Sequence, residues 1–215
     1  ALTADTSGHS GRINDLAWAP DSQTLASGSS DFYTRLWDVN GQEVDFFLFQ
    51  NGSITSVAFS NDGTRLATGS SDFTVFIRNL VDEEALPIVL ENDNIVRTIA
   101  FSPDDKQIAI GGDDYGVDNW ILFADDGTYL GFLSQTLNHD YTVISTEYLP
   151  DGETLATATW GSLLSWWNVT NRETTQTVDR GFLISAGIFA GEPYILSEPA
   201  IGNIDIYNAV TLDNL

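Results

Sequence analysis

The sequence predicts an all-β chain assembled from repeats of one antiparallel sheet unit, and three observations carry that reading. The stretch Gly8 to Val39 holds three runs of strand character, Ile13 to Trp18, Thr24 to Ser27 and Phe32 to Val39. They are parted by Ala-Pro-Asp-Ser and Gly-Ser-Ser-Asp, which is turn chemistry. The second turn then returns: SGSSDFYT around Asp31 is echoed by TGSSDFTV around Asp72, 41 residues on, inside the period of about 40 to 45 residues of a four-stranded repeat. Pro20 and the glycines break any helical reading of the same segments. Asn14 and Asp15 interrupt the alternation of Ile13, Leu16 and Trp18, so the first strand rests on its length and flanking turns as well as on periodicity.

The later repeats follow in order. The second reads Ile54 to Phe59, a turn at Asn61-Asp62-Gly63, Arg65 to Thr68, then Phe73 to Leu80. In the third, Val96 to Phe101 aligns with the first strand, Pro103-Asp104-Asp105 with the turn, Asp114 with Asp31 and Trp120 with Trp37. The fourth has Val143 to Tyr148, Pro150-Asp151-Gly152, Leu155 to Thr157 and Trp167-Asn168; Asn138-His139 stands where Gly8-His9 stands, and Gly161 replaces the turn aspartate. The fifth keeps strand-like runs at Leu183 to Phe189, Tyr194 to Ser197 and Ile204 to Tyr207 without a turn aspartate, and is a degenerate copy. Candidate outer strands lie between these units at Glu43 to Phe49, Ala85 to Leu90, Thr128 to Leu133 and Glu173 to Val178; none follows the fifth.

Gly8-His9 at the start and Trp37-Asp38 at the end of the first unit resemble a tryptophan-aspartate (WD) repeat. The resemblance implies that each unit is a four-stranded blade of a β-propeller. It also implies a buried hydrogen-bonded tetrad of His9, Ser27, Asp31 and Trp37. It covers almost the whole chain, which is expected to be a single domain, 1–215, with blades at about 12–49, 53–90, 95–133, 142–178 and 182–215. Residues 1–6 would serve as the outer strand that closes the last blade and removes an open edge. The second blade has Gln50 and Arg78-Asn79 where the histidine and the Trp-Asp pair belong; two tetrad members are lost, so packing is expected to hold it more than it holds the first. Propellers of this family usually have seven blades, which would need roughly 290 residues. Five repeats would close a smaller ring or form part of a larger one.

Composition bounds the function. The 215 residues are 42% hydrophobic, without an apolar run near the roughly 18 to 20 residues of a spanning helix, so a soluble protein with no membrane insertion is expected. The chain opens on Ala1 without a basic-then-apolar leader, which fits a start after processing or inside a longer polypeptide. There is no cysteine, so disulfides, zinc-thiolate sites and cysteine nucleophiles are excluded. With 31 acidic against 8 basic residues, a formal charge of -23 and Lys106 as the sole lysine, nucleic acid is not an expected partner. Solubility is the preferred reading of that charge, ahead of a basic partner or a metal ion. Asp113 to Asp118 lacks calcium-loop spacing, so no metal is expected. The sequons at Asn51 and Asn168 are compatible with glycosylation of an exported protein, and an extracytoplasmic setting is favoured over a cytoplasmic one.

Only His9 and His139 are available as histidines, both at the position that the resemblance makes structural, and no serine sits in a nucleophile elbow. Neither an enzyme nor a cofactor is expected. The resemblance implies a non-catalytic protein-binding scaffold, as a module or subunit of a larger assembly. A secreted or surface propeller that binds a glycan or small ligand through exposed aromatics is the alternative, and a propeller enzyme comes third. The expected binding face carries Phe32, Phe73, Tyr115 and Trp160 in the loops between second and third strands, flanked by Arg12 and Arg97 from the loops before the first strands. Aromatics with arginine are the usual material of interface hot spots. Phe46, Phe47 and Phe49 in the first outer strand are candidates for a lateral contact or for packing against a neighbouring blade, since side chains of a strand alternate between faces.

Overall fold

A computed structural model describes residues 8–48, 50–82, 84–124, 128–161, 163–171, 173–179, 182–189, 192–198 and 205–208. Among them there are nineteen strands and no helix. The expected closing strand at 1–6 lies outside the described residues. The chain divides into two compact units, Ala1–Val96 and Arg97–Leu215.

The first unit holds two antiparallel four-stranded sheets. One is β1 (Ile13–Trp18), β2 (Thr24–Ser29), β3 (Thr34–Asp38) and β4 (Glu43–Phe47); the other is β5 (Ile54–Phe59), β6 (Arg65–Ser70), β7 (Thr74–Asn79) and β8 (Ile88–Glu91). The second unit holds two more, β9 (Val96–Phe101), β10 (Gln107–Gly112), β11 (Gly116–Phe123) and β12 (Tyr129–Asn138), then β13 (Val143–Tyr148), β14 (Thr154–Thr159), β15 (Leu163–Asn168) and β16 (Glu173–Asp179). A three-stranded sheet follows, β17 (Phe182–Phe189), β18 (Glu192–Glu198) and β19 (Asp205–Asn208). Each sheet is a meander in sequence order, as tight turns between consecutive strands require. The strands β3 and β7 begin two and one residues later than the sequence implies, because Phe32 and Phe73 adopt φ of +74°, which no strand residue does. The strand β12 runs to ten residues and reaches Asn138, well past the expected Leu133.

The aspartates of the first turns are local structure makers. Carboxylate oxygens of Asp21, Asp62, Asp104 and Asp151 accept backbone N–H bonds from Gln23, Thr64, Lys106 and Glu153 at 2.8 to 3.1 Å. This Asx geometry gives the chain a reason to keep acid at each turn.

Within each unit, successive sheets pack through their first strands. In the first unit Ile54 and Val57 of β5 join Leu66 in one core with Ala26, Leu36 and Phe47 of the preceding sheet. In the second, Val143, Tyr148 and Leu155 meet Ala100, Ala109, Val117 and Leu137. The corresponding residues of β1, Ile13, Leu16 and Trp18, are 48%, 55% and 57% exposed.

A bulge recurs near the start of the first strand pair, between Ile13 and Asp15, Ile54 and Ser56, Val143 and Ser145, and Leu183 and Ser185. In the first sheet the bulged segment turns polar groups toward the next sheet. Asn14 Nδ2 donates to the Ile54 carbonyl at 2.7 Å, and Asp15 Oδ2 accepts from Val57 N at 2.8 Å. Thr98 Oγ1 accepts in the same way from Thr146 N at 3.1 Å. These bonds occupy backbone groups on an edge strand that would otherwise lack partners.

The packing also fixes one glycine. A Cβ on Gly28 would lie 2.5 Å from Ile54 Cγ2 and 3.0 Å from Val57 Cγ1; at the matching Gly111 it would lie 2.8 Å from Thr98 Cγ2 and Val143 Cγ1. Gly28→Ala is therefore expected to overpack the sheet-to-sheet contact and cost about 1 to 3 kcal/mol, read as a lowered midpoint in denaturant unfolding. An unchanged midpoint would show that the sheets do not approach this closely.

Candidate functional site

The structure brings the four residues of the expected tetrad together. Trp37 Nε1 on β3 donates to Ser27 Oγ on β2 at 2.8 Å, and Ser27 Oγ lies 2.7 Å from His9 Nε2. His9 Nδ1 lies 3.0 and 3.1 Å from the Asp31 carboxylate, which also accepts from Ser10 N at 2.8 Å and Tyr33 N at 3.1 Å. One proton order satisfies the chain: indole N–H to serine, serine O–H to Nε2, Nδ1–H to carboxylate. Burial opposes ionisation of Asp31, but the bonds from Tyr33, Ser10 and His9 outweigh it and hold the carboxyl below its usual range. The serine, histidine and carboxylate have the connectivity of a hydrolytic triad, yet Ser27 is only 1% exposed and its oxygen already accepts from Trp37 Nε1. The group ties the leading loop, two strands and a turn into one body.

The other repeats solve the same problem with different atoms. In the fourth, His139 Nε2 lies 2.8 Å from Thr157 Oγ1, and Trp167 Nε1 donates to that oxygen at 3.1 Å. With Gly161 in the aspartate's place, His139 Nδ1 turns to the Leu137 carbonyl at 2.9 Å. In the second repeat, expected to rely more on packing, Gln50 takes the histidine's place. Gln50 Oε1 accepts from Thr68 Oγ1 at 2.8 Å, while its Nε2 reaches Thr68 O and Thr74 O at 3.1 and 2.9 Å. Thr74 Oγ1 donates to Asp72 at 2.6 Å, so a polar network survives without histidine or tryptophan. In the third, Ile110 occupies the hydroxyl position, and Trp120 Nε1 is buried without a partner.

The turn aromatics are exposed. Phe32, Phe73, Tyr115 and Trp160 are 42%, 44%, 54% and 66% accessible. The first three hold φ of +74°, +74° and +61°, in the left-handed position that normally goes to glycine or asparagine. The turns explain how this is enforced. Phe32 N donates to Ser29 O and Phe73 N to Ser70 O, at 3.1 and 3.3 Å, while Asp31 and Asp72 bond the N–H of Tyr33 and Thr74 at 3.1 Å. Trp160 is out of register with them: its N–H bonds Thr142 O as that of Ser30 bonds Arg12 O, two positions earlier in the repeat. Sequence reasoning missed Tyr141, a half-exposed ring lying against Gly161 where any side chain would clash with it.

Arg12 is exposed in the loop before β1. Arg97 is not in a loop, as the sequence reading had it, but in β9, where Nε and Nη2 donate to the Asp113 carboxylate at 2.9 and 2.8 Å. Of the lateral candidates, Phe47 is buried in the first unit's core, with the Arg78 guanidinium 4.1 Å from its ring centroid; it presents no lateral surface. Phe46 is half-buried on the opposite face, edge-on to Tyr33 at 5.9 Å, with Arg35 5.8 Å from its ring. Phe49 lies outside the described residues. Among the described residues no group of three His, Asp or Glu is placed to hold a metal ion.

Burial holds the His139 imidazole below its ordinary range, partly opposed by the Leu137 carbonyl and by Asp140. The unfolded chain then binds this proton more readily, so stability falls as pH drops through the unfolded value of 6.5 toward the lower folded one. His139→Gln, which copies Gln50, is expected to flatten that part of the melting curve between pH 7 and 5. An equal loss of melting temperature in both proteins would place the titrating group elsewhere.

The profile of the family described as "WD domain, G-beta repeat" matches residues 2–38, 43–79 and 88–130, together more than half of the chain. The human protein named "WD repeat-containing protein 36" is 39% identical over 51 residues, which is 23% of this chain and 6% of that protein; the match therefore spans a small part of the relative's length. No helix among the described residues is long and apolar enough to cross a membrane. Repeats of this kind generally mediate protein–protein interactions and are generally non-catalytic. Sheet order, the tetrad geometry and the family match agree, and the chain belongs to the WD-repeat family of β-propellers.

Proposed function

We propose that this chain is a rigid, non-catalytic platform that binds a protein partner through the aromatic turn tips, as a module or subunit of a larger assembly. One observation carries the reading: Phe32, Phe73 and Tyr115 combine left-handed backbone with exposed rings. A bulky residue in that conformation costs on the order of 1 kcal/mol or more, and an exposed ring recovers little of it by burial. Strain without a packing return is what a recognition site accumulates. Phe32 and Phe73 serve in the first unit, Tyr115 and Trp160 in the second. Arg12 adds a cation beside Phe32's turn through the Ser30–Arg12 backbone bond. Arg97 contributes through its pair with Asp113 and not as a free cation. The charge of -23 favours a partner with basic surface.

Phe73→Gly separates site from core. Glycine relieves the backbone strain, so its melting temperature is expected to equal or exceed that of the parent protein. Peptides selected from a random display library on the parent protein are expected to lose at least about tenfold in affinity, the size of a modest hot spot. A lowered melting temperature would mean that the ring is packing, and selection of glycans from an array in place of peptides would overturn the protein-binding reading.

A further inference from the structure

We propose that the packing of the fifth sheet against the fourth is set by the protonation of Glu147, so that the edge of the second unit loosens as pH rises toward neutrality. Glu147 is the fifth residue of β13, where the first three repeats carry Ala17, Ala58 and Ala100. That position faces the following repeat: Ala17 packs on the core shared with β5, and Ala100 on the core shared with β13. Glu147 pairs with Ala156, which pairs with Trp166, and directly opposed residues point to the same face of a sheet. Ala156 and Trp166 belong, with Leu149, Ala158 and Leu164, to an apolar cluster on this face. The strand β17 lies against β13, β14 and β15 on that side.

Among the described residues no compensating charge faces it. The strands β10, β14, β15 and β17 read QIAIGG, TLATAT, LLSWWN and FLISAGIF, without an ionisable residue. Tyr148, next in β13, points to the other face and donates to Asn119 at 2.8 Å. Burial is the one influence on the half-buried Glu147 carboxyl, with no hydrogen bond or charge offsetting it, and the indole N–H of Trp166 on the same face is buried without a partner. An alanine site has been given a carboxyl group that packs well only when neutral. Burial accordingly pushes its pKa up from 4.5 to about 7.

The sign follows from proton linkage. A carboxyl raised in the packed state leaves packing unpenalised below 4.5; the contact weakens as pH climbs from there to about 7 and stays weakened above it. His139 acts in the opposite direction, its contribution falling as pH drops. The device therefore opens the apolar face of the fourth sheet in neutral and alkaline conditions and covers it in mild acid.

The test is hydrogen exchange of the full chain at pH 5 and pH 7.5, corrected for intrinsic rates, in the parent protein and in Glu147→Gln and Glu147→Ala. Peptides covering β17, β18 and β19 in the parent protein are expected to lose roughly tenfold or more in protection between the two pH values, since each unit of pKa difference is tenfold in the equilibrium. Both variants are expected to keep their protection, and β5 to β7 to show no such change. Glutamine mimics the neutral carboxyl and decides the matter should the alanine variant not fold. Equal losses in parent and glutamine variant, or no loss in the parent, would overturn the proposal.

Discussion

A sheet of this repeat presents two apolar faces that neighbouring sheets must cover, so within each unit the seating of the later sheet's first strand into its predecessor is the contact on which the remaining structure depends. Ile54 and Val57 can enter the first sheet because Gly28 leaves the space, and burial of two such side chains is worth several kcal/mol, at about 1.5 to 3 each. The recurrent bulge sets Asn14 and Asp15 to bond the incoming strand, converting a nonspecific apolar contact into one with a defined register. The corresponding residues of the first strand, Ile13, Leu16 and Trp18, remain exposed.

The hydrogen-bonded group around Ser27 does different work: it orders loops that packing does not reach. Its variation shows which part matters. The hydroxyl is retained as Ser27, Thr68 and Thr157, while its neighbours change from histidine to glutamine and from aspartate to glycine. The oxygen can accept and donate at once and so links a loop to a strand whatever the loop supplies. Where Ile110 replaces it, an indole N–H is left stranded. Ordered turns then hold Phe32 and Phe73 in a backbone conformation that these residues would not choose.

Much of this was legible in local pattern. The first strands Ile13–Trp18, Ile54–Phe59, Val96–Phe101 and Val143–Tyr148 agree with the sequence reading residue for residue, because turn aspartates and Asp-Gly or Pro-Asp steps bound them. What was not legible depends on residues about forty positions apart. Asn14 and Asp15 read as defects of alternation, although they are the sheet-to-sheet bonds. Gln50 read as a lost histidine, since nothing local shows that Thr68 and Thr74 stand where an amide reaches both. Arg97 read as a loop cation until Asp113 was placed beside it on β9 and the turn after β10. Trp160 looked equivalent to Phe32, and only the backbone bond to Thr142 reveals the two-residue offset.

The proposed role of the turn tips requires strained, exposed rings that also meet a partner. A photoreactive phenylalanine analogue at position 73, irradiated with and without a library-selected peptide, reports what the ring touches in each state. Crosslinks to the peptide, and few to the chain itself in its absence, are the predicted result. Crosslinks confined to the protein's own neighbouring sheet, unaffected by the peptide, would contradict it.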